Sequence, residues 1–311
     1  MGPILRALFR SKAAALLIVL EIALTLAIVS NALSIVVDRV SAMNRPTGLD
    51  ESRVVSLSSI AVSASYDSAA AYVADRARLL SIDGVENVYQ SNTLPLTNGG
   101  WSTTVNFKLG VASEVGSAIY FSDEQAIPTL GLKLIAGRNF DAREITLHGR
   151  NDELDPAVII ISKKLADAMF PNGDAVGKRV SLGADANQFD QEIIGVVERL
   201  MTPWPNSGYA DSENSVLVPM RPDGYLRWII RTAEGKNSEV LKAAEELLGK
   251  ADRNRVIESP IAFSKIRAEG YQSYTTMVVI MSVISILLLI ITALGIVGMV
   301  SFWVTQRTRQ I

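Results

Sequence analysis

An α+β domain held between two transmembrane helices is the architecture this sequence predicts, and three observations predict it. Two long apolar stretches, 13–37 and 275–304, lie near the two ends of the 311 residues. Between them the composition is that of an ordinary soluble domain, long enough to bury a core. Within that middle, a strand-helix-strand pattern occurs once near the start and once near the end. The chain therefore divides into a cytoplasmic or interfacial segment (1–12), a first membrane helix (13–37), an external domain (38–269), a second membrane helix (275–304) and a short cytoplasmic end (305–311).

The second apolar stretch carries no charged side chain, and about 20 apolar residues already cross the hydrocarbon of a bilayer. Ser282, Ser285, Thr292 and Gly295 share one helical face. Small and weakly polar residues are what membrane helices turn toward one another, so this span expects partner helices. It closes on Trp303, an interfacial residue type, and then on Arg307 and Arg309, whose charge favours the cytoplasmic side. Upstream, Ser264-Lys-Ile-Arg-Ala-Glu269 offers a capping serine and good helix formers, so the helix is expected to begin before the membrane, with Gly270 as its weak point.

At the other end, Ile4, Leu5, Leu8 and Phe9 alternate with Arg6, Arg10 and Lys12. This suits a short helix in the headgroup layer or a plain basic flank. The stretch 13–37 has one charged residue, Glu21. Its aliphatic side chains favour insertion by about 4 to 8 kcal/mol, against about 3 kcal/mol for one central acid, so insertion wins. Glu21 then sits about 12 Å into the membrane. A cleaved signal peptide shares the basic start, apolar run and small-residue end at Ser30-Asn31-Ala32, but the length of the run and its acid argue against that reading. Thr25 lies one turn from Glu21 on the same face. An ionisable group at that depth belongs to a pathway or to a helix contact. With no basic residue in either span, Glu21 and Thr25 read as intramembrane packing residues, their partners expected on helices outside this chain.

Basic flanks on both spans put both ends in the cytoplasm and the domain outside. Residues 53–62 read as a strand, 67–81 as a helix capped by Asp67 or Ser68, and Asp83-Gly84 as the turn into a strand at 85–91. A half-buried strand is expected at 101–109, with Thr103, Val105, Phe107 and Leu109 on one face. Near the far end come a strand at 225–232, a helix at 237–251 burying Val240, Leu241, Ala244, Leu247 and Leu248, and a strand at 255–258. Two such β-α-β halves pair into a ferredoxin-like sandwich, leaving about 116–201 as an inserted mixed α/β subdomain.

Within the insert four segments follow in order: Leu130-Gly-Leu-Lys-Leu-Ile-Ala-Gly-Arg-Asn-Phe140, Ala157-Val-Ile-Ile-Ile-Ser-Lys-Lys-Leu-Ala-Asp-Ala-Met-Phe-Pro171, Gly173-Asp-Ala-Val-Gly-Lys178 and Glu192-Ile-Ile-Gly-Val-Val197. Read alone, they give a buried strand, a helix capped by Ser162 and stopped by Pro171, a glycine turn and a second strand. In this order they resemble the MacB-like periplasmic core domain of FtsX-type ABC transporter permeases, and the resemblance covers nearly the whole chain. It implies a porter-like part made of the β-α-β halves, an inserted part, and a multi-pass protein of the bacterial inner membrane with its large domain in the periplasm. It further implies an ABC ATPase subunit on another chain, a second copy or a related permease, the lipid bilayer and a periplasmic adaptor as partners. Gln306-Arg-Thr-Arg-Gln-Ile311 is similar to the family's run toward its coupling segment, which makes Arg307, Arg309 and Gln310 the candidate ATPase-coupling end. Family permeases carry at least two further membrane helices, so the chain is expected to stop short of a whole permease. The exporter that names the family begins with a fused ATPase, whereas this sequence starts at a membrane helix.

Other chemistry finds little footing. A net charge of −2 gives no basic face for nucleic acid. Zero cysteines exclude disulfides and thiolate chemistry. Gly173 to Lys178 has three residues between its glycines, where a phosphate loop needs four and then Lys-Ser/Thr. His148, the one histidine, stands beside Asp152-Glu-Leu-Asp155 and reads as part of a solvated loop. No metal, cofactor or catalytic residue is expected, and the chain reads as a non-enzymatic permease subunit. Met201-Thr-Pro-Trp-Pro-Asn-Ser-Gly-Tyr209 is a proline-stiffened loop in which Trp204 and Tyr209 either contact a partner or cover a sheet edge. The rival function is a two-helix membrane sensor with a periplasmic ligand-binding domain, ending before its signalling module.

Overall fold

The computed structural model describes residues 12–62, 66–108, 114–149, 152, 154–183, 190–205, 211–223, 225–252 and 254–308. The chain divides into two units, Met1–Arg45 with Gln272–Ile311, and Pro46–Tyr271. It opens with α1 (Lys12–Met43), so helix continues past the expected limit at 37 and the domain begins near Pro46. A 3-10 turn at Glu51–Arg53 leads into β1 (Val54–Ala61), α2 (Ser68–Leu80) and β2 (Val85–Ser91). Next come β3 (Trp101–Asn106), β4 (Val115–Phe121), α3 (Ala126–Leu130), β5 (Leu134–Gly137), β6 (Thr146–His148) and β7 (Val158–Ser162). These are followed by α4 (Lys163–Met169), β8 (Arg179–Leu182), β9 (Gln191–Val197), β10 (Ser215–Val218) and β11 (Met220–Pro222). The chain returns as β12 (Tyr225–Thr232), α5 (Asn237–Ala251), β13 (Arg255–Ala262) and α6 (Phe263–Gly270), and α7 (Gln272–Thr308) follows.

The first lobe of Pro46–Tyr271 is a four-stranded antiparallel sheet in the order β13-β1-β12-β2. The two β-α-β halves thus interleave, as in a ferredoxin-like sandwich. Local chemistry starts each half. The Asp67 carboxylate accepts from the Ala70 N–H at 2.9 Å, capping α2, and Gly84 takes φ +84° in the turn before β2. Val55, Leu57, Trp228 and Ile230 project from the sheet onto Leu79 of α2 and Val240, Ala244 and Leu248 of α5. A buried ion pair ties the halves together, with Arg255 Nη2 3.0 Å from Asp75 Oδ1.

The second lobe is a seven-stranded sheet in the order β5-β9-β7-β10-β4-β3-β8. Because β8 pairs with β3 on one side and with β9 on the other, the sheet closes on itself as a small barrel. Ile119, Ile159, Ile161 and Ile193 fill it together with Leu165 and Met169 of α4. The insert is wider than the expected 116–201. β3 belongs to it through antiparallel pairing with β4, and β10 sits between β4 and β7. Alternation marked β3 as half-buried, but a strand's periodicity does not say which sheet it joins.

Three local expectations change. Ser162 occupies the N-cap position of α4 without capping it; its hydroxyl donates to the Glu213 carbonyl at 2.6 Å. His148 is buried, with ring contacts to Trp101 and Phe121 at 5.7 and 4.9 Å between centroids, in place of the expected solvated loop. β6 pairs with β11 and carries it inward. Finally, α6 starts after Ala262, with no side-chain cap from Ser264, and Tyr271 interrupts the helix between Gly270 and Gln272. The continuous helix expected from Ser264 onward is therefore two helices.

Candidate functional site

Side chains on α1 and α7 meet along an antiparallel seam. The Thr25 and Thr292 hydroxyls lie 2.8 Å apart, one donating to the other. One turn away Glu21 faces Gly295 so closely that a methyl group there would lie 2.7 Å from Glu21 Oε1. Farther along the pair, the Arg39 guanidinium covers the Tyr274 ring at 4.4 Å. On α7 the half-buried positions include Ser282, Ser285, Thr292 and Gly295, the residues picked out as one helical face. Ser285 turns its hydroxyl back onto the Met281 carbonyl at 2.7 Å. Thr25 thus finds a hydrogen-bonding partner on α7, inside this chain, where one on other helices was expected, and Glu21 lies against the backbone of α7 at Gly295. The spacing of Thr25 and Ala32, buried on α1, puts the seam near every third or fourth residue.

The outward faces of both helices are aliphatic, with Leu20 at 63% and Leu294 at 65% exposure. Two stretches, Leu16–Met43 and Gln272–Phe302, are long and apolar enough to cross a membrane.

A second constellation lies where the chain enters and leaves the domain. Glu51 Oε1 accepts from the Thr47 hydroxyl at 2.7 Å and from Arg267 Nη1 of α6 at 2.6 Å. Asp50 takes Arg231 Nη2 at 2.6 Å, and its N–H donates to the Leu130 carbonyl at 2.9 Å. Gly48 lies against the Arg199 carbonyl and Gly270 against the Leu96 carbonyl, so a side chain at either position would strike backbone. Leu96 itself holds φ +66°, an uncommon conformation for a non-glycine residue. Entry and exit segments are thereby pinned to each other and to the loops around Leu96 and Arg199. Sequence reasoning missed this root, since Glu51 and Arg267 are unremarkable surface charges until the fold joins them.

The loop after β9 continues the same contacts. Met201 N–H donates to the Thr47 carbonyl at 2.9 Å, and Leu96 and Asn98 donate to the Thr202 and Pro203 carbonyls. Trp204 is half-buried, and Tyr209 lies outside the described residues. At the other proposed contact, Arg307 falls in the last turn of α7, while Arg309 and Gln310 lie outside the described residues. Among the described residues no three metal-ligating side chains come together.

The family described as the MacB-like periplasmic core domain matches residues 15–247. The macrolide export ATP-binding/permease protein MacB of Neisseria meningitidis serogroup A is 22% identical over 244 residues, which is 76% of this chain and 35% of that protein. The Neisseria gonorrhoeae protein of the same name is 22% identical over 242 residues, 75% of this chain and 35% of its own length. The chain thus spans about a third of the length of the curated relatives it matches. Among solved structures, the periplasmic region of MacB from Actinobacillus actinomycetemcomitans aligns with a TM-score of 0.42 at 16% identity, covering 73% of this chain and 96% of that one. The extracellular domain of the noncanonic ABC-type transporter YknZ from Gram-positive bacteria aligns at 0.40 and 17% identity, covering 66% and 100%.

Proposed function

The chain belongs to the family of MacB-like periplasmic core domains, and from that premise we propose that it is a permease subunit of an ABC transporter of the FtsX/MacB type. In this reading α1 and α7 cross the inner membrane with both ends in the cytoplasm, and Pro46–Tyr271 stands in the periplasm. A separate ATPase moves the helices, and their movement reshapes the domain for export or mechanotransmission. The observation that carries the proposal is the family match over a domain with an apolar, membrane-length helix at each end. The relatives' name, macrolide export ATP-binding/permease protein, supports an ATPase partner and an export role.

The subunit itself carries no catalytic role. Arg307, Arg309 and Gln310 form the end that meets the ATPase. Glu21 and Thr25 fix the packing of the helix pair. Trp204 and Tyr209 lie on the loop offered to a periplasmic adaptor, and a second copy or a related permease completes the assembly. The root around Glu51 and Arg267 supports mechanical coupling, because it joins the domain's entry and exit segments through one carboxylate.

Reconstitution with the cognate ATPase in lipid vesicles tests this. Replacing Arg307 and Arg309 together by Glu is expected to cut permease-stimulated ATP hydrolysis at least tenfold while the protein still inserts. Stimulation at the wild-type level in that variant would remove these residues from the ATPase contact, and no stimulation by the unaltered permease would remove the transporter reading.

A further inference from the structure

Where the two lobes of Pro46–Tyr271 meet, a carboxyl is sealed from water. Asp123, just beyond β4, is 1% exposed. Its Oδ2 accepts from the Tyr72 hydroxyl at 2.9 Å and its Oδ1 from the Gln125 N–H at 2.9 Å. Tyr72 comes from α2, in the other lobe. Its ring stacks on Trp228 at 5.5 Å, and the Arg221 guanidinium of β11 lies 4.2 Å from the ring centroid. Tyr72 therefore joins the ferredoxin-like core to two segments of the barrel lobe. Beside it, Asn87 Nδ2 donates to Gln125 Oε1 at 2.9 Å, and the Ser68 hydroxyl donates to Asp223. The ionisable groups facing Asp123 are Tyr72 and Arg76 from α2, Tyr89 from β2 and Glu124 from its own segment, while Arg221 lies over the Tyr72 ring.

We propose that Asp123 is the proton-binding site of a latch between the two lobes, and that taking up a proton there tightens the junction built on Tyr72. The geometry supplies the reason. A buried carboxylate is costly even when it accepts two hydrogen bonds, and opening the junction returns it to water. Burial pushes the Asp123 carboxyl up from 3.8 to about 6, and the Glu124 charge pushes the same way; the Gln125 N–H, the Tyr72 hydroxyl and Arg76 hold it down.

Because the closed junction holds the proton more tightly than the open one, the added stability is full below 3.8 and is lost as pH rises through about 6. Between pH 7 and pH 5 the open fraction falls about tenfold. The latch does not depend on transport; only its exposure to external pH rests on the periplasmic location proposed above.

Hydrogen exchange of the full chain in detergent micelles tests it, read in peptides covering α2 and the segment from β4 to α3. After correction for intrinsic exchange, opening at pH 5 is expected to be about tenfold rarer than at pH 7. Asp123→Asn keeps an oxygen acceptor but cannot titrate, so its corrected exchange should be the same at both pH values. Tyr72→Phe removes a donor to the charged form, so it should keep the pH response and move its midpoint upward. A wild-type protein without the response overturns the proposal, as does an Asn variant that retains it. If the Asn variant fails to fold, a Phe variant whose midpoint stays fixed or falls overturns it instead.

Discussion

In the α1–α7 pair Glu21, Thr25 and Thr292 turn to the seam and most large aliphatic side chains turn out, whereas in Pro46–Tyr271 the large aliphatic side chains fill the interior. Leu20 and Leu294 are more than half exposed while Thr25 is buried; Leu57 and Ile159 of the domain are fully buried. Each unit matches its surface to a different solvent. A leucine left in water forgoes about 1.5–3 kcal/mol relative to burial, so the helix pair has no use for its outward face without hydrocarbon or further helices. The domain draws its stability from two apolar cores. What polar chemistry does inside each unit differs as well. In the pair, the Thr25–Thr292 contact and the Glu21 carboxyl mark the seam. In the domain, a charged pair is buried outright, with both side chains of Asp75 and Arg255 at 1% exposure.

The largest expected effect breaks the domain's side of this comparison. Asp75→Ala leaves the buried Arg255 charge without its carboxylate, with the Leu248 carbonyl and the Tyr66 hydroxyl as its remaining acceptors, a loss of about 3–5 kcal/mol. Chemical denaturation followed by domain fluorescence should show the midpoint fall accordingly. A loss below about 1 kcal/mol would mean that water reaches the guanidinium and that the pair is not part of the core.

A smaller effect sharpens the other side. Thr25→Val and Thr292→Val, alone and together, form a double-mutant cycle across the seam. Interhelical hydrogen bonds in lipid average about 0.6 kcal/mol and reach about 1.7 kcal/mol, so a coupling energy in that range is expected from reversible unfolding in mixed micelles. Strict additivity would show that the two hydroxyls are near each other without holding the helices.

Much of the architecture was legible because it is local. The strand at 225–232 and the helix at 237–251 coincide with β12 and α5, since Val240, Ala244 and Leu248 recur at helical spacing and mark the buried side. Asp67 announced the start of α2 by its capping carboxylate and Gly84 the turn into β2 by its backbone freedom. Non-local pairing was not legible. β8 is four residues long, yet it closes the barrel by pairing on both sides, and no periodicity in so short a strand names two partners. The same holds for His148, whose charged neighbours in sequence suggested water while the fold laid it against Trp101 and Phe121.

The candidate site divides along the same line. Glu21 stood out as an acid in an apolar run, and the Thr292 and Gly295 face stood out by its small residues. That these two faces meet is a contact between residues 267 positions apart. The Glu51–Arg267 contact, 216 positions apart, left no trace in either segment. Asp123 likewise looks like any loop acid until Tyr72 is brought over it.

The central claim is that the two units face different media, with the domain outside the cytoplasm and both chain ends within it. The cysteine-free sequence makes this directly measurable. Single cysteines at Lys178, exposed on the barrel lobe, and at Ser11 and Gln310 are each challenged in intact cells with a membrane-impermeant thiol reagent admitted to the periplasm. The account predicts labelling at Lys178→Cys and protection at Ser11→Cys and Gln310→Cys until the inner membrane is permeabilised. Labelling of both end positions together with protection at Lys178→Cys would contradict it.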